Sequence, residues 1–275
     1  MARHPRILIP RMARNAPSHS LDFAGLTSPG QKRDHNEDAL LCCPSLGLWA
    51  VADGMGGHQF GEVASALALQ TLKRAIADGA ELQAAVHAAH HAVRTAAPRP
   101  GMGTTIVTTL FNGADFQLAW VGDSRAYRIN AEGIVALSRD HSWVQAMIDA
   151  GELSPDDAAR HSRRNVILQC LGRDETPEVG LLSATLHPGE LLLLCSDGLT
   201  GELTDADIHQ QCTEADTLEQ LVDRLIAVAN ARGGRDNITC IVLGRTLADP
   251  SALTLGQRVL HLLSKPLKSL VGRAS

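Results

Sequence analysis

The sequence predicts an α+β fold in which antiparallel sheets are covered by helices. Two observations carry this expectation. Strand-like segments arrive in hairpin-like runs rather than singly, and helix-like segments are grouped in pairs between those runs, whereas a parallel sheet would alternate the two. The length of 275 residues, 44% hydrophobic and 20% charged, suits one large globular domain with a full core. Aromatic residues make up only 3%, so alanine, leucine and valine must build that core.

In chain order, residues 1–20 are basic, hold prolines and show no period, and read as a flexible arm. Strand-like segments follow at 22–26, 39–43 and 48–52. Residues 61–77 read as a helix burying Val63, Ala66, Leu67, Leu69, Ala75 and Ile76. An alanine-rich helix over 81–96 is broken by Pro98-Arg99-Pro100-Gly101. A β-rich stretch covers 104–111, 116–121, 126–129 and 134–137, with Asn112-Gly113 as a hairpin signal. From 141 to 172 the pattern turns helical, with Ser154 as an N-cap and Pro155 at the first helical position. A strand at 190–196, helices at 205–212 and 217–231 and a last strand at 238–243 complete the pattern. The expected division is an arm (1–20), a main folded domain (21–247) and a leucine-rich tail (248–275) with basic residues and a break at Pro266.

Three of the apolar runs end in a carboxylate beside a small residue: Val51-Ala52-Asp53-Gly54, Val121-Gly122-Asp123-Ser124 and Cys195-Ser196-Asp197-Gly198. Buried strands that stop at Asp deliver negative charge to one rim of a sheet. Asn36-Glu37-Asp38 and Arg235-Asp236-Asn237 add two more acidic clusters. Carboxylates crowded together repel unless a cation lies between them, and oxygen-only ligands suit hard ions such as Mg²⁺ or Mn²⁺. Metals held that way commonly serve phosphate chemistry. An Asp-Gly at one strand end is by itself an ordinary turn; the repetition is what argues for metal.

Bulk properties exclude other classes. A net charge of −5 and few aromatics argue against nucleic-acid partners. The six cysteines contain no C-x-x-C pair, which argues against a zinc site. The N-terminus lacks the apolar core of a signal peptide, no apolar run has the length of a transmembrane segment, and a monomer in a reducing cytoplasm is expected.

The order and spacing of these acids resemble the metal-dependent Ser/Thr protein phosphatases (PPM, or type 2C) in their bacterial form. Arg33-Asp34-His35-Asn36-Glu37-Asp38 is similar to the R-x-x-N-E-D opening, and Asp53-Gly54-Met55-Gly56-Gly57-His58 to the D-G-M-G-G signature. Gly101-Met102-Gly103-Thr104-Thr105, Val121-Gly122-Asp123-Ser124-Arg125, Ser196-Asp197-Gly198-Leu199 and Asp236-Asn237-Ile238-Thr239 resemble the remaining motifs, in the family's order. The resemblance covers about residues 22–246. It implies a central sandwich of two antiparallel β-sheets flanked by helix pairs, a four-layer α-β-β-α arrangement.

The resemblance also implies an activity: hydrolysis of phosphoserine and phosphothreonine on proteins by hydroxide held between two Mn²⁺ or Mg²⁺ ions, opposing a bacterial Ser/Thr kinase. Asp53 would bridge the ions, Asp197 and Asp236 would complete one shell, and the Gly54 carbonyl would join the other. Glu37 and Asp38 would act through water, and Asp123 with Asp197 would hold a third ion. Arg33 would grip the substrate phosphate, and Asn237 would orient Asp236. Where eukaryotic relatives carry a histidine suited to protonating the leaving group, this chain has Met55; His58 is a nearby alternative, with water the expected acid. Residues 141–180 resemble the flap of bacterial relatives. The rival reading keeps the fold as an inactive phosphoprotein-binding protein, and the complete acid set argues against it.

Overall fold

The computed structural model describes residues 21–56, 60–96, 102–173 and 176–245. The expected arm at 1–20 and tail at 248–275 lie outside these residues, as do Gly57, His58 and Gly101. The elements in order are β1 (Leu21–Ser28), β2 (Asp38–Cys43), β3 (Leu48–Met55), α1 (Phe60–Ala77), α2 (Leu82–Ala96), β4 (Gly103–Thr104), β5 (Ile106–Asn112), β6 (Asp115–Val121), β7 (Arg125–Asn130) and β8 (Gly133–Ala136). They continue as α3 (Trp143–Asp149), α4 (Pro155–Arg160), β9 (Gly180–Thr185), β10 (Leu191–Cys195), α5 (Asp197–Thr200), α6 (Asp205–Glu214), α7 (Leu218–Arg232) and β11 (Ile238–Arg245).

Side-chain alternation along the strands sorts the core into three apolar interfaces. Leu48, Ala50 and Ala52 of β3 face α1 and α2, meeting Ala64, Ala68, Leu72, Val86 and Ala89. Trp49 and Val51, between them in sequence, point the other way and pack with Leu118, Leu192, Leu194 and Ile241. On β10, Leu191, Leu193 and Cys195 turn toward Ile208, Leu221, Leu225 and Ala229 of α6 and α7. The result is helix pair, sheet, sheet, helix pair. One sheet runs β1-β11-β10-β7-β8 and the other β2-β3-β5-β6-β9, with β4 pairing β3 off the path. Every strand pairing is antiparallel.

Three expectations are corrected, and one strand was not anticipated. The buried face of α1 is Gly61, Ala64, Ser65, Ala68, Leu69 and Leu72; of the six expected positions Leu69 is buried and Leu67, Ala75 and Ile76 are half-buried against the core, but Val63, 49% exposed, and Ala66 face outward. Small residues let the helix sit close on β3, so size outranks hydrophobicity here. The stretch 141–172 is not one helical region but two short helices, α3 and α4, followed by extended chain bridged at Ser142–Ile167 and Thr104–Leu171. Strand β9 lacked a clear sequence signal because it is an edge strand, formed by pairing with β6 and with Leu181 left 47% exposed. The single strand expected at 104–111 splits at Thr105, whose backbone N–H turns aside to the Asp53 carbonyl at 2.8 Å.

Candidate metal centre

Register brings the acids together. Asp38 at the start of β2 lies directly opposite Asp53 near the end of β3. Cys195 at the end of β10 is partnered on one side by Cys240 and on the other by Arg125. Asp197 therefore emerges between the start of β11, where Asp236 lies, and the β6–β7 link, where Asp123 lies. Strands from both sheets deliver their acids to one rim of the sandwich.

Asp53 is clamped through its backbone. Its N–H donates to Thr105 Oγ1 at 3.0 Å, and its carbonyl accepts from Thr104 Oγ1 at 3.0 Å as well as from the Thr105 N–H. The Thr105 hydroxyl in turn shares a 2.7 Å hydrogen bond with Ser124, linking the Asp53 strand to the Asp123 link. Asp38 Oδ2 accepts from Ser196 Oγ at 2.7 Å, and Ser196 Oγ accepts from the Thr239 N–H at 3.0 Å, so one hydroxyl ties β2 to β10 and β11. The Glu37 carboxylate faces the Gly61 N–H at the start of α1, and the Glu37 carbonyl accepts from Gly54 N–H at 3.1 Å and Ser65 Oγ at 2.6 Å. A Cβ on Gly54 would lie 2.0 Å from the Gly61 carbonyl oxygen, so only glycine lets β3 and α1 approach this closely.

Arg33 and Asp236 form an ion pair, with Nη2 donating to Oδ2 at 2.8 Å, and the Arg33 side chain stays 51% exposed. Asp236 Oδ1 accepts from the backbone N–H of Asn237 at 2.8 Å. The Asn237 side chain works elsewhere than expected. Its Oδ1 accepts from Glu37 N–H at 2.8 Å, and its Nδ2 donates to the carbonyls of Pro29 and His35 at 3.0 and 2.8 Å. It therefore shapes the loop carrying Arg33 and Glu37 and reaches Asp236 only through the main chain.

The electrostatics are those of crowded acids. Burial, then repulsion from Asp38, Asp197, Asp123 and Asp236, holds the Asp53 carboxyl well above the usual carboxylate range. Burial raises Asp38 to about 7, against the pull of hydrogen bonds from Thr239 and Ser196. Asp123 is pushed well up by burial and by Asp197, and Asp197 is raised by burial and by Asp236 while its carboxyl hydrogen-bonds with Asp53. Asp53 and Asp197 keep part of their surface open to solvent although protein surrounds them closely. Glu37 Oε1, Asp38 Oδ1 and Asp123 Oδ1 are buried without a hydrogen-bond partner. A buried carboxylate oxygen without a partner is costly, and three of them among mutually raised carboxyls fit a site built for hard divalent cations. Among the described residues no three His, Cys, Asp or Glu side chains close on an ion by themselves; hard ions of this class fill their shells with backbone carbonyls and water as well.

Sequence reasoning missed several supporting residues. Ser196 and Ser65 look like ordinary strand-end and helix residues. Arg125 grips Asp140 with a fork of 2.8 and 2.6 Å contacts and stands beside Asp123. Asp140 carries no local signal, because the pair spans fifteen residues and two elements. Met55, at the end of β3, has no proton to give.

A family model described as protein phosphatase 2C matches residues 27–242. The serine/threonine phosphatase stp of Listeria innocua is 34% identical over 238 residues, covering 80% of this chain and 94% of that protein. The crystal structure of the Mycobacterium tuberculosis serine/threonine phosphatase PstP/Ppp superposes with a TM-score of 0.76 at 33% identity, covering 82% of this chain and 99% of that one. The catalytic domain of the serine threonine protein phosphatase PstP in complex with two manganese ions gives a TM-score of 0.73 at 32% identity, covering 82% and 97%.

Proposed function

This chain belongs to the protein phosphatase 2C family, and from that premise we propose how its rim performs the family's reaction. The protein is a metal-dependent serine/threonine phosphatase that uses two manganese or magnesium ions. The inactive phosphoprotein-binding alternative is not supported. The observation that carries the residue assignment is the set of buried, unpartnered carboxylate oxygens facing a rim of mutually raised acids.

In this reading Asp53 would serve both ions, Asp197 and Asp236 would hold one, and the Gly54 carbonyl would help hold the other. Glu37 and Asp38 would act through water, and Asp123 with Asp197 would offer a third position. When bound, the ions neutralise charge on the phosphoryl group and lower the pKa of water at the rim. The chain's own residues supply the rest. Thr104 and Thr105 hold the Asp53 backbone still, which limits reorganisation when charge develops. Arg33, half exposed in its ion pair with Asp236, turns its planar fork to a phosphate dianion. Asn237 is a positioning residue for the Arg33–Glu37 loop. With Met55 at the position after Gly54, the leaving serine or threonine oxygen takes its proton from water.

Phosphorylated proteins are the substrates, and a Ser/Thr kinase of the same cell is the opposing enzyme. Among the described residues no helix is long and apolar enough to cross a membrane, and we place the enzyme in the cytoplasm as a monomer. Phosphate release from a phosphothreonine peptide, with Mn²⁺ or with EDTA, tests the assignment in wild type and Asp197→Asn. Release that requires Mn²⁺ and disappears in the folded variant supports it. Undiminished release by Asp197→Asn overturns the metal role of that residue.

A further inference from the structure

His90 on α2 is fully buried, yet the reaction described above makes no use of it. Its Nδ1 accepts from the backbone N–H of Gly172 at 3.3 Å, across 82 residues of sequence. An accepting Nδ1 carries no proton, so the neutral ring keeps its proton on Nε2, which is buried without a partner. Gly172 ends the extended strap that returns the flap to the sandwich. The residue before it, Leu171, exchanges hydrogen bonds with Thr104 at 2.8 and 3.1 Å, and Thr104 Oγ1 donates to the Asp53 carbonyl. A hydrogen-bonded line therefore runs from His90 through the strap to the backbone of the central acid.

The strap is shaped to reach the histidine. Gly172 has φ +90°, and a Cβ there would lie 2.5 Å from Val93 Cγ1, the next turn of α2. Only glycine brings the strap amide this close to the helix.

We propose that His90 is a positioning residue that latches the strap of the flap to α2 and braces Asp53 through Leu171 and Thr104, and that protonation of its ring opens the latch. A protonated ring has two donors and no acceptor, so it would confront the Gly172 N–H with an N–H of its own. The surroundings oppose protonation: burial first, then electrostatic repulsion along the same helix, chiefly from His91 and Arg94, hold the ring below the ordinary histidine value. On the strap, the ionisable neighbours of Gly172 are buried Cys170 and exposed Arg173, which hydrogen-bonds to Cys170. The buried face of α1 that packs on α2 carries no ionisable group. Among the described residues, the charged groups that act on His90 are His91, Arg94 and His87, and none of them is a carboxylate that could hold an imidazolium. Since the folded value lies below the unfolded one, the latch holds above about pH 6.5 and weakens as pH falls below it.

This inference rests on the phosphatase reading only for its kinetic consequence; the latch itself is read by hydrogen exchange. The full-length chain with Mn²⁺ is compared as wild type, His90→Asn and His90→Leu, at about pH 7.5 and about pH 5.5, either side of the ordinary histidine pKa. Asn offers an acceptor near the Nδ1 position and does not titrate. After correction for intrinsic exchange, protection of the Leu171 and Gly172 amides should fall at the lower pH in wild type, stay constant in His90→Asn and be low throughout in His90→Leu. In parallel, kcat of His90→Leu should drop by about tenfold, the scale of one buried hydrogen bond left unmade, with His90→Asn restoring most of it. Equal pH dependence in wild type and His90→Asn, or wild-type protection in His90→Leu, overturns the latch. Loss of activity in all three proteins would count against the phosphatase reading alone, because the exchange comparison still decides the latch.

Discussion

At the scale of single residues, the site depends on carboxylates that are unfavourable without a cation. Asp53 is the extreme case, ringed by four other acids. Asp53→Asn removes charge without changing shape, so turnover should be nearly abolished while circular dichroism still reports a folded protein. Near-wild-type turnover after metal stripping and reloading would show that Asp53 does not span the ions. Arg33 has a different task. Its side chain pairs with Asp236 at an open surface, and exposed pairs contribute little to stability. Arg33→Ala should therefore leave Tm nearly unchanged and chiefly raise KM for a phosphopeptide, an outcome steady-state kinetics separates from a loss in kcat.

At the scale of elements, the rim is a join between strands of two sheets, and a few side chains act as fasteners. Asn237 is one of them, joining the start of β11 to the loop between β1 and β2 by three side-chain hydrogen bonds. Asn237→Ala would leave the Glu37 N–H and two carbonyls without these partners. A loss of about 2–4 kcal/mol is expected, at about 1–3 kcal/mol for each group left unsatisfied and with water replacing part of the loss. Denaturant unfolding measures the loss, and Mn²⁺ affinity should weaken with it as the Glu37 loop loosens. Ser196 fastens β2 to β10 and β11 by the same logic, through one hydroxyl that donates to Asp38 and accepts from Thr239.

At the scale of the whole molecule, the acid rim links stability to pH and to metal. Asp38, at about 7, and Asp53, Asp123 and Asp197, also raised, bind protons more tightly folded than unfolded. Such groups stabilise the fold while protonated, so stability is present near pH 4 and is lost as pH climbs toward 7 and beyond. For EDTA-treated protein, Tm should be higher at about pH 5 than at about pH 8. Adding Mn²⁺ should raise Tm more at the higher pH, since cations bind the ionised carboxylates and stabilise by mass action. Scanning calorimetry at the two pH values, with and without Mn²⁺, checks the sign; a metal-free Tm that rises across this interval would contradict it.

The sequence alone carried the strand-end acids and the grouping of strands and helices, and its resemblance to the family implied the layered plan. Apolar runs that stop at Asp53, Asp123 and Asp197 are local patterns, whereas β3 and β10 are apolar throughout and do not show in sequence which face meets the helices. Tertiary structure decided what depends on distance in space rather than in sequence. It set which face of α1 turns inward, because close approach to β3 favours Ala64 and Ala68 over Val63. It broke the helical pattern of residues 141–172 into α3, α4 and an extended strap, and it made β9 a strand by offering it the edge of β6. It also gave Asn237 its loop partners, Arg125 its Asp140 and His90 its strap. Periodicity is written in neighbouring residues, whereas a hydrogen bond between residues far apart in sequence exists only once register has brought their strands and helices together.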